Sequence, residues 1–117
     1  ERAEAVIAAR EAIDLGRAGG NRYHEVLAQL ALVGALLITD GVLPRVEIES
    51  ALERADELVE SLSARSLSPR ILELRARLAH ALGDAAAGEQ TLLRALDSYR
   101  EIGATGHADR LARQLAR

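Results

Sequence analysis

The sequence predicts an all-α fold of about six helices, arranged as stacked helix-turn-helix pairs. Three observations lead there. Nearly half of the 117 residues are hydrophobic, yet Phe, Trp, Met and Cys are absent and Tyr occurs twice, so the core must be built from Leu, Ala, Val and Ile. Good helix formers (Ala, Leu, Glu, Arg) dominate, and aromatic strand formers are scarce. Apolar residues recur at intervals of three and four, and the pattern repeats about 40 positions further on.

In the first helix, Glu1 to Leu15, Ala5, Ala9 and Ala12 with Val6, Ile7 and Ile13 are expected to mark one face. Gly19-Gly20 ends it, and Asn21 is a suitable N-cap for the second helix, about Arg22 to Thr39. Between Val26 and Ile38 only Gln29 is polar. A helix apolar on every side is expected to be buried from several directions. Its thirteen residues span about 20 Å, too short for a bilayer core.

Asp40-Gly41 breaks this helix and Pro44 suits the first turn of the third, about Pro44 to Ala64. There Ile48, Leu52, Ala55, Val59 and Leu62 follow one another at helical spacing. Ser68 is the expected N-cap of a fourth helix, with Pro69 at its first position and its end at Leu82; Asp84 caps the fifth. Gly88, Leu92, Ala95, Tyr99 and Ile102 each lie 40 positions after a counterpart in the third helix. Leu72, Ala76, Ala79 and Gly83 lie 42 positions after Leu30, Gly34, Leu37 and Gly41. The two-residue difference falls in the connection containing Pro44, where a repeat protein tolerates insertions. After Gly103, Thr105 is the expected cap of a last helix through Gln114, with Leu111 and Leu115 inward. The chain is thus divided into the second helix of an incomplete repeat (1–18), a repeat (21–64), a repeat (68–102) and a terminal capping helix (105–116). These units are too small to bury their apolar faces alone and are expected to stack as a single domain.

Composition excludes several functions. The net charge of −3 is made of interspersed signs without a like-charge run, which argues against a nucleic-acid stripe or a polybasic membrane patch. Every basic side chain other than His is Arg; the base composition of the gene explains this most simply, with bidentate recognition of carboxylate or phosphate as the functional alternative. Without cysteine there is no disulfide, thiolate zinc site or cysteine nucleophile. The first residues do not resemble a signal peptide, so a cytoplasmic location is expected. The chain begins at Glu1 and contains no Met. It is expected to be a piece of a longer protein whose first helix lacks its repeat partner.

No catalytic, cofactor or metal site is expected. His24, His80 and His107 fall on different helices, and no pair has the four-residue spacing of a helical zinc site. His80 and Asp84 are spaced like ligands, but a helix cap accounts for Asp84. Gly16-x-x-Gly19-Gly20 lacks the strand and the Lys-Ser/Thr of a phosphate loop. Ser61, Ser63, Ser66 and Ser68 form a polar linker rather than a nucleophile elbow. The carboxylates Glu47, Glu49, Glu53, Asp56 and Glu57 fit the solvated face of an amphipathic helix.

The arrangement Leu72-x3-Ala76-x2-Ala79-x3-Gly83-Asp84-x3-Gly88-x3-Leu92-x2-Ala95-Leu96 resembles the tetratricopeptide repeat. Leu30, Val33, Gly34, Leu37 and Gly41 are similar to its first helix. The usual large aromatics are missing, Arg75 stands where an apolar residue is common, and the period is nearer 42 than 34. The tail Gly103-Ala104-Thr105-Gly106-His107-Ala108, followed by Arg110-Leu111-Ala112, is similar to endings of the helical-repeat regions of bacterial ATPase-type transcriptional regulators and class III nucleotide cyclases. The resemblance implies a short right-handed solenoid that senses or couples while other domains catalyse. It also implies a peptide-binding groove: Arg70, Glu73, Arg77 and His80 from the second full repeat, Ala28, Ala31, Ala35 and Ile38 from the first. A groove with one apolar and one charged half suits an amphipathic helix.

The expected function is therefore a non-catalytic module for protein or peptide partners or other domains of a parent chain. A homodimer through the first helix, or a free-standing adaptor, is the alternative. A small helical enzyme using Asp or Glu with His80 has only the presence of those residues in its favour.

Overall fold

The computed structural model describes the backbone of residues 2–117 and the side chains of residues 3–117. Among them are six α-helices and one 3-10 turn, and no strand: α1 (Arg2–Ala18), α2 (Arg22–Asp40), α3 (Arg45–Leu62), the turn Arg65–Leu67, α4 (Ser68–Ala81), α5 (Ala85–Glu101) and α6 (Thr105–Leu115). The chain divides into two compact units, Glu1–Ala64 and Arg65–Arg117, with the boundary in the predicted polar linker.

In the first unit, α2 packs against both α1 and α3. Helix α2 begins where Asn21 accepts a hydrogen bond from the His24 N–H at 3.1 Å, the predicted cap. Gly16 lets α1 and α2 approach: a Cβ there would lie 3.1 Å from the Glu25 nitrogen and 3.3 Å from the Asn21 oxygen, both backbone atoms. Val6, Ala9, Ile13 and Gly16 form the buried face of α1, whereas Ala5, Ile7 and Ala12 are exposed. The expected single face of Ala5, Ala9 and Ala12 with Val6, Ile7 and Ile13 is thus divided between core and solvent. An arc of Val6, Ala9, Ile13 and Gly16 already fills the side that α2 covers, and the remaining apolar residues point elsewhere.

The start of α3 also differs from expectation. Pro44 sits one residue before the helix, at the N-cap position, with no side-chain cap. The turn 42–45 leads directly into the helix and leaves proline outside it. Ile48, Leu52, Ala55 and Val59 are buried as their spacing predicts, and Ser63 ends the helix in the left-handed conformation.

In the second unit, α4 packs on α5 and α5 on α6. Ser68 is the first residue of α4 rather than its cap, because the 3-10 turn before it carries the chain straight into the helix. Asp84 caps α5 as predicted, accepting from the Ala87 N–H at 3.0 Å. Thr105 likewise lies inside α6, and Ala104 occupies the cap position without a side-chain bond. The core joins Ala76 of α4, Leu92, Ala95, Leu96 and Tyr99 of α5, and Ala108 and Leu111 of α6, with Leu72 and Leu115 packed against it. No helix among the described residues is long and apolar enough to cross a membrane.

Candidate interaction surfaces and the charged clasps

The apolar run of α2 is not covered on every side. Its arc of Tyr23, His24, Leu27, Ala31, Gly34, Ala35 and Ile38 is partly or fully exposed, with Ile38 at 54%. These positions share one helical face and carry no carboxylate or guanidinium. The exposed Ala5, Ala8, Ala12 and Leu15 follow one another along α1, with Leu15 at 74%. Between the two helices lies a groove of about 650 Å³, lined by Ala12, Leu15, Gly16 and Gly19 from the first hairpin arm and by Asn21, His24, Leu27 and Ala28 from the second. Small side chains on both walls let another backbone come close. Among the predicted groove residues of this half, Ala31 and Ile38 are exposed, Ala35 is half-buried, and Ala28 is buried in the groove wall.

The charged half is less uniform. Arg70, Arg77 and His80 are exposed on α4. Glu73 is instead held by neighbours: the Tyr99 hydroxyl of α5 donates to its carboxylate, and Arg110 of α6 pairs with it at 3.0 Å. Burial and the Glu73 carboxylate together push the Tyr99 phenol well above its ordinary value, because ionising it would place a second negative charge in a half-dry site. His107 stacks on the Tyr99 ring with centroids 4.9 Å apart, and Arg110 lies 3.3 Å from its Nδ1. Since guanidinium only donates, Nδ1 is the acceptor in that contact. His80 lies over Gly88, where an added Cβ would come within 2.7 Å of its ring. Three of the four predicted residues are thus open to a ligand, and the fourth helps to tie three helices together.

A second tie, in the first unit, is built around Glu25, 2% exposed on α2. Arg54 of α3 donates to its two oxygens at 2.9 and 3.2 Å, Arg17 of α1 at 3.1 Å and the Gln29 side chain at 3.2 Å. The Arg54 hydrogen bonds hold the Glu25 carboxyl below its ordinary value in spite of burial, and Glu25 in turn raises Arg54. Arg10 of α1 and Glu47 of α3 pair at 2.8 Å nearby. A groove of about 670 Å³ lies between them, with Gln29 and Leu32 of α2 in its lining. Every charged group in the tie has an opposite partner, and no buried side-chain polar atom among the described residues is left unsatisfied. This arrangement ties α1, α2 and α3 together through one buried carboxylate. No group of three potential metal ligands occurs among the described residues.

Sequence reasoning did not find either tie, although one signal was present. Gln29 is the lone polar side chain of the apolar run and lies four residues after Glu25 on the same face. Compared with protein-family models, curated proteins and solved structures, the chain matches none.

Proposed function

We propose that this chain is a non-catalytic protein-interaction module that receives a helix of a partner protein on the face formed by α1 and α2. The observation that carries the reading is the uncharged arc of α2, from Tyr23 to Ile38, left open beside the groove. A face of this kind in water favours a partner that covers it.

The arrangement is also read as two tetratricopeptide-like hairpins. Four pairs 40 positions apart support this, since Ile48 and Gly88, Leu52 and Leu92, Ala55 and Ala95, and Val59 and Tyr99 are all buried, while Leu62 and Ile102 are both exposed. Gly41 and Gly83, 42 apart, both take positive φ at the turn, +62° and +86°. By that resemblance the parent would be a bacterial cytoplasmic signalling protein, a nucleotide cyclase or an ATPase-type transcriptional regulator, and this chain its coupling region.

The test is selection of helical peptides of about eighteen residues against the whole chain, followed by mapping through backbone amide shifts. Binders are expected to perturb α1 and α2, and to be lost on Ala31→Arg. Binders that perturb only α4 and are lost on Arg77→Glu would transfer the function to the charged arc. Absence of any binder would end the proposal.

A further inference from the structure

The first unit is strongly acidic. Residues 1–64 hold twelve carboxylates and six arginines, a net of −6, whereas residues 65–117 hold six and nine, a net of +3. Local charge beside the groove has the same sign. Glu4, Ala8, Glu11 and Leu15 follow one another along α1 at spacings of four, three and four, so the two glutamates stand in the row that Leu15 continues into the groove wall. They lie seven residues apart, about 10 Å along the helix. Both are exposed and neither has an ion-pair partner among the described residues. The ion pairs Arg10–Glu47, Arg17–Glu25, Arg45–Glu49 and Arg54–Glu25 use other carboxylates, which leaves this row available.

We infer that the segment docking on α1 and α2 is an amphipathic helix of another protein whose apolar stripe is bordered by Lys or Arg seven residues apart. The inference rests on the docking reading above and adds the partner's chemistry. Apolar contact with Leu15, Leu27, Ala31 and Ile38 provides the attraction, and the cations meet Glu4 and Glu11 at the rim. A second copy presenting the same face would bring like charge to an acidic unit, which disfavours self-association there. An anionic helix meets the same repulsion. Exposed ion pairs are individually weak, so the charge row acts chiefly on selection between partners and on association rate.

Two synthetic helices distinguish the possibilities. Both carry the same Leu/Ala stripe over eighteen residues; one has Lys and the other Glu at two flanking positions seven apart. Binding to the whole chain is followed by fluorescence anisotropy and amide shifts at low and at high salt. The lysine peptide is expected to bind the α1/α2 face about tenfold more tightly, with the difference shrinking as salt rises and abolished by Glu4→Gln with Glu11→Gln. Equal binding of both peptides on that face would overturn the charge inference and keep the docking reading. Binding of neither would overturn both. A dimer in sedimentation at tens of micromolar, broken by Ala31→Arg, would show a second copy as the occupant and overturn the inference.

Discussion

Arg54 of α3 grips both carboxylate oxygens of Glu25 on α2, at 2.9 and 3.2 Å, and the two ends of that pair are unequally exposed: Glu25 at 2%, the Arg54 side chain at 41%. Removing either partner therefore has different consequences. An arginine freed of its acid turns to water, whereas a carboxylate freed of its arginine stays buried with only Arg17 and Gln29. Arg54→Ala is expected to destabilise the chain by about 2 kcal/mol, and Glu25→Gln by about 1 kcal/mol. Urea unfolding of the two variants checks this order, and a larger loss from Glu25→Gln would contradict it.

The same carboxylate sets an acid limit. Its folded value is depressed, chiefly by the Arg54 hydrogen bonds. A depressed group contributes stability above its unfolded value, about 4.3, and that contribution is lost as pH falls through the lower folded value. The urea midpoint should therefore drop below about pH 4 in the wild type, and the drop should be shallower in Glu25→Gln.

Tyr99 acts at the opposite end of the pH scale. Burial, then the Glu73 carboxylate, raise the phenol above its ordinary value. A raised group contributes stability that is complete below its unfolded value, about 10, and is lost as pH rises above it toward the folded value. Tyr99→Phe should lose about 1 kcal/mol at neutral pH through the missing hydrogen bond to Glu73, and should show a weaker alkaline loss. Equal alkaline slopes in the two proteins would exclude Tyr99 as the cause.

Gly88 separates a packing role from a conformational one. Its helix is regular there, and what an added methyl would meet is the His80 ring, the end of an exposed side chain that can swing away. Replacing a helical glycine by alanine gains roughly 0.5–1 kcal/mol. Gly88→Ala should leave stability unchanged or slightly raised, while the His80 ring resonances move. Marked destabilisation would mean that the ring is fixed in place.

Ile38 is exposed at 54% in the uncharged arc. Ile38→Glu should change stability by less than about 0.5 kcal/mol, as a surface substitution does, yet abolish binding of the selected helices. A variant that unfolds would instead give Ile38 a structural role.

Much of the architecture was legible because its causes are local. Asn21 and Asp84 cap α2 and α5 through bonds spanning three residues. Glycine turns and the three-and-four spacing of Ile48, Leu52, Ala55 and Val59 likewise act within a few residues, so the sequence announces them. Pro44, Ser68 and Thr105 were each misplaced by one position, because whether the chain enters a helix from a turn depends on the geometry of the preceding loop.

The site was legible only in part. The groove residues Ala31, Ala35 and Ile38 are implied by the resemblance to the repeat, whereas an apolar run on every side of α2 predicts burial; the packing of α1 and α3 around α2 left this arc open. The position of Glu73 beneath Tyr99 and Arg110 could not be read from α4 alone.

The sequence by itself determined the helices, the caps Asn21 and Asp84, the glycine turns, and the residues available for a Leu- and Ala-built core. Tertiary structure decided which charges meet. Glu25 and Arg54 are 29 residues apart, Glu73 and Tyr99 are 26, and Arg10 and Glu47 are 37. A carboxylate on a helical face is compatible with many arginines at such separations. Only the packing of the helices brings one guanidinium within hydrogen-bond reach, where the loss of hydration makes that contact matter.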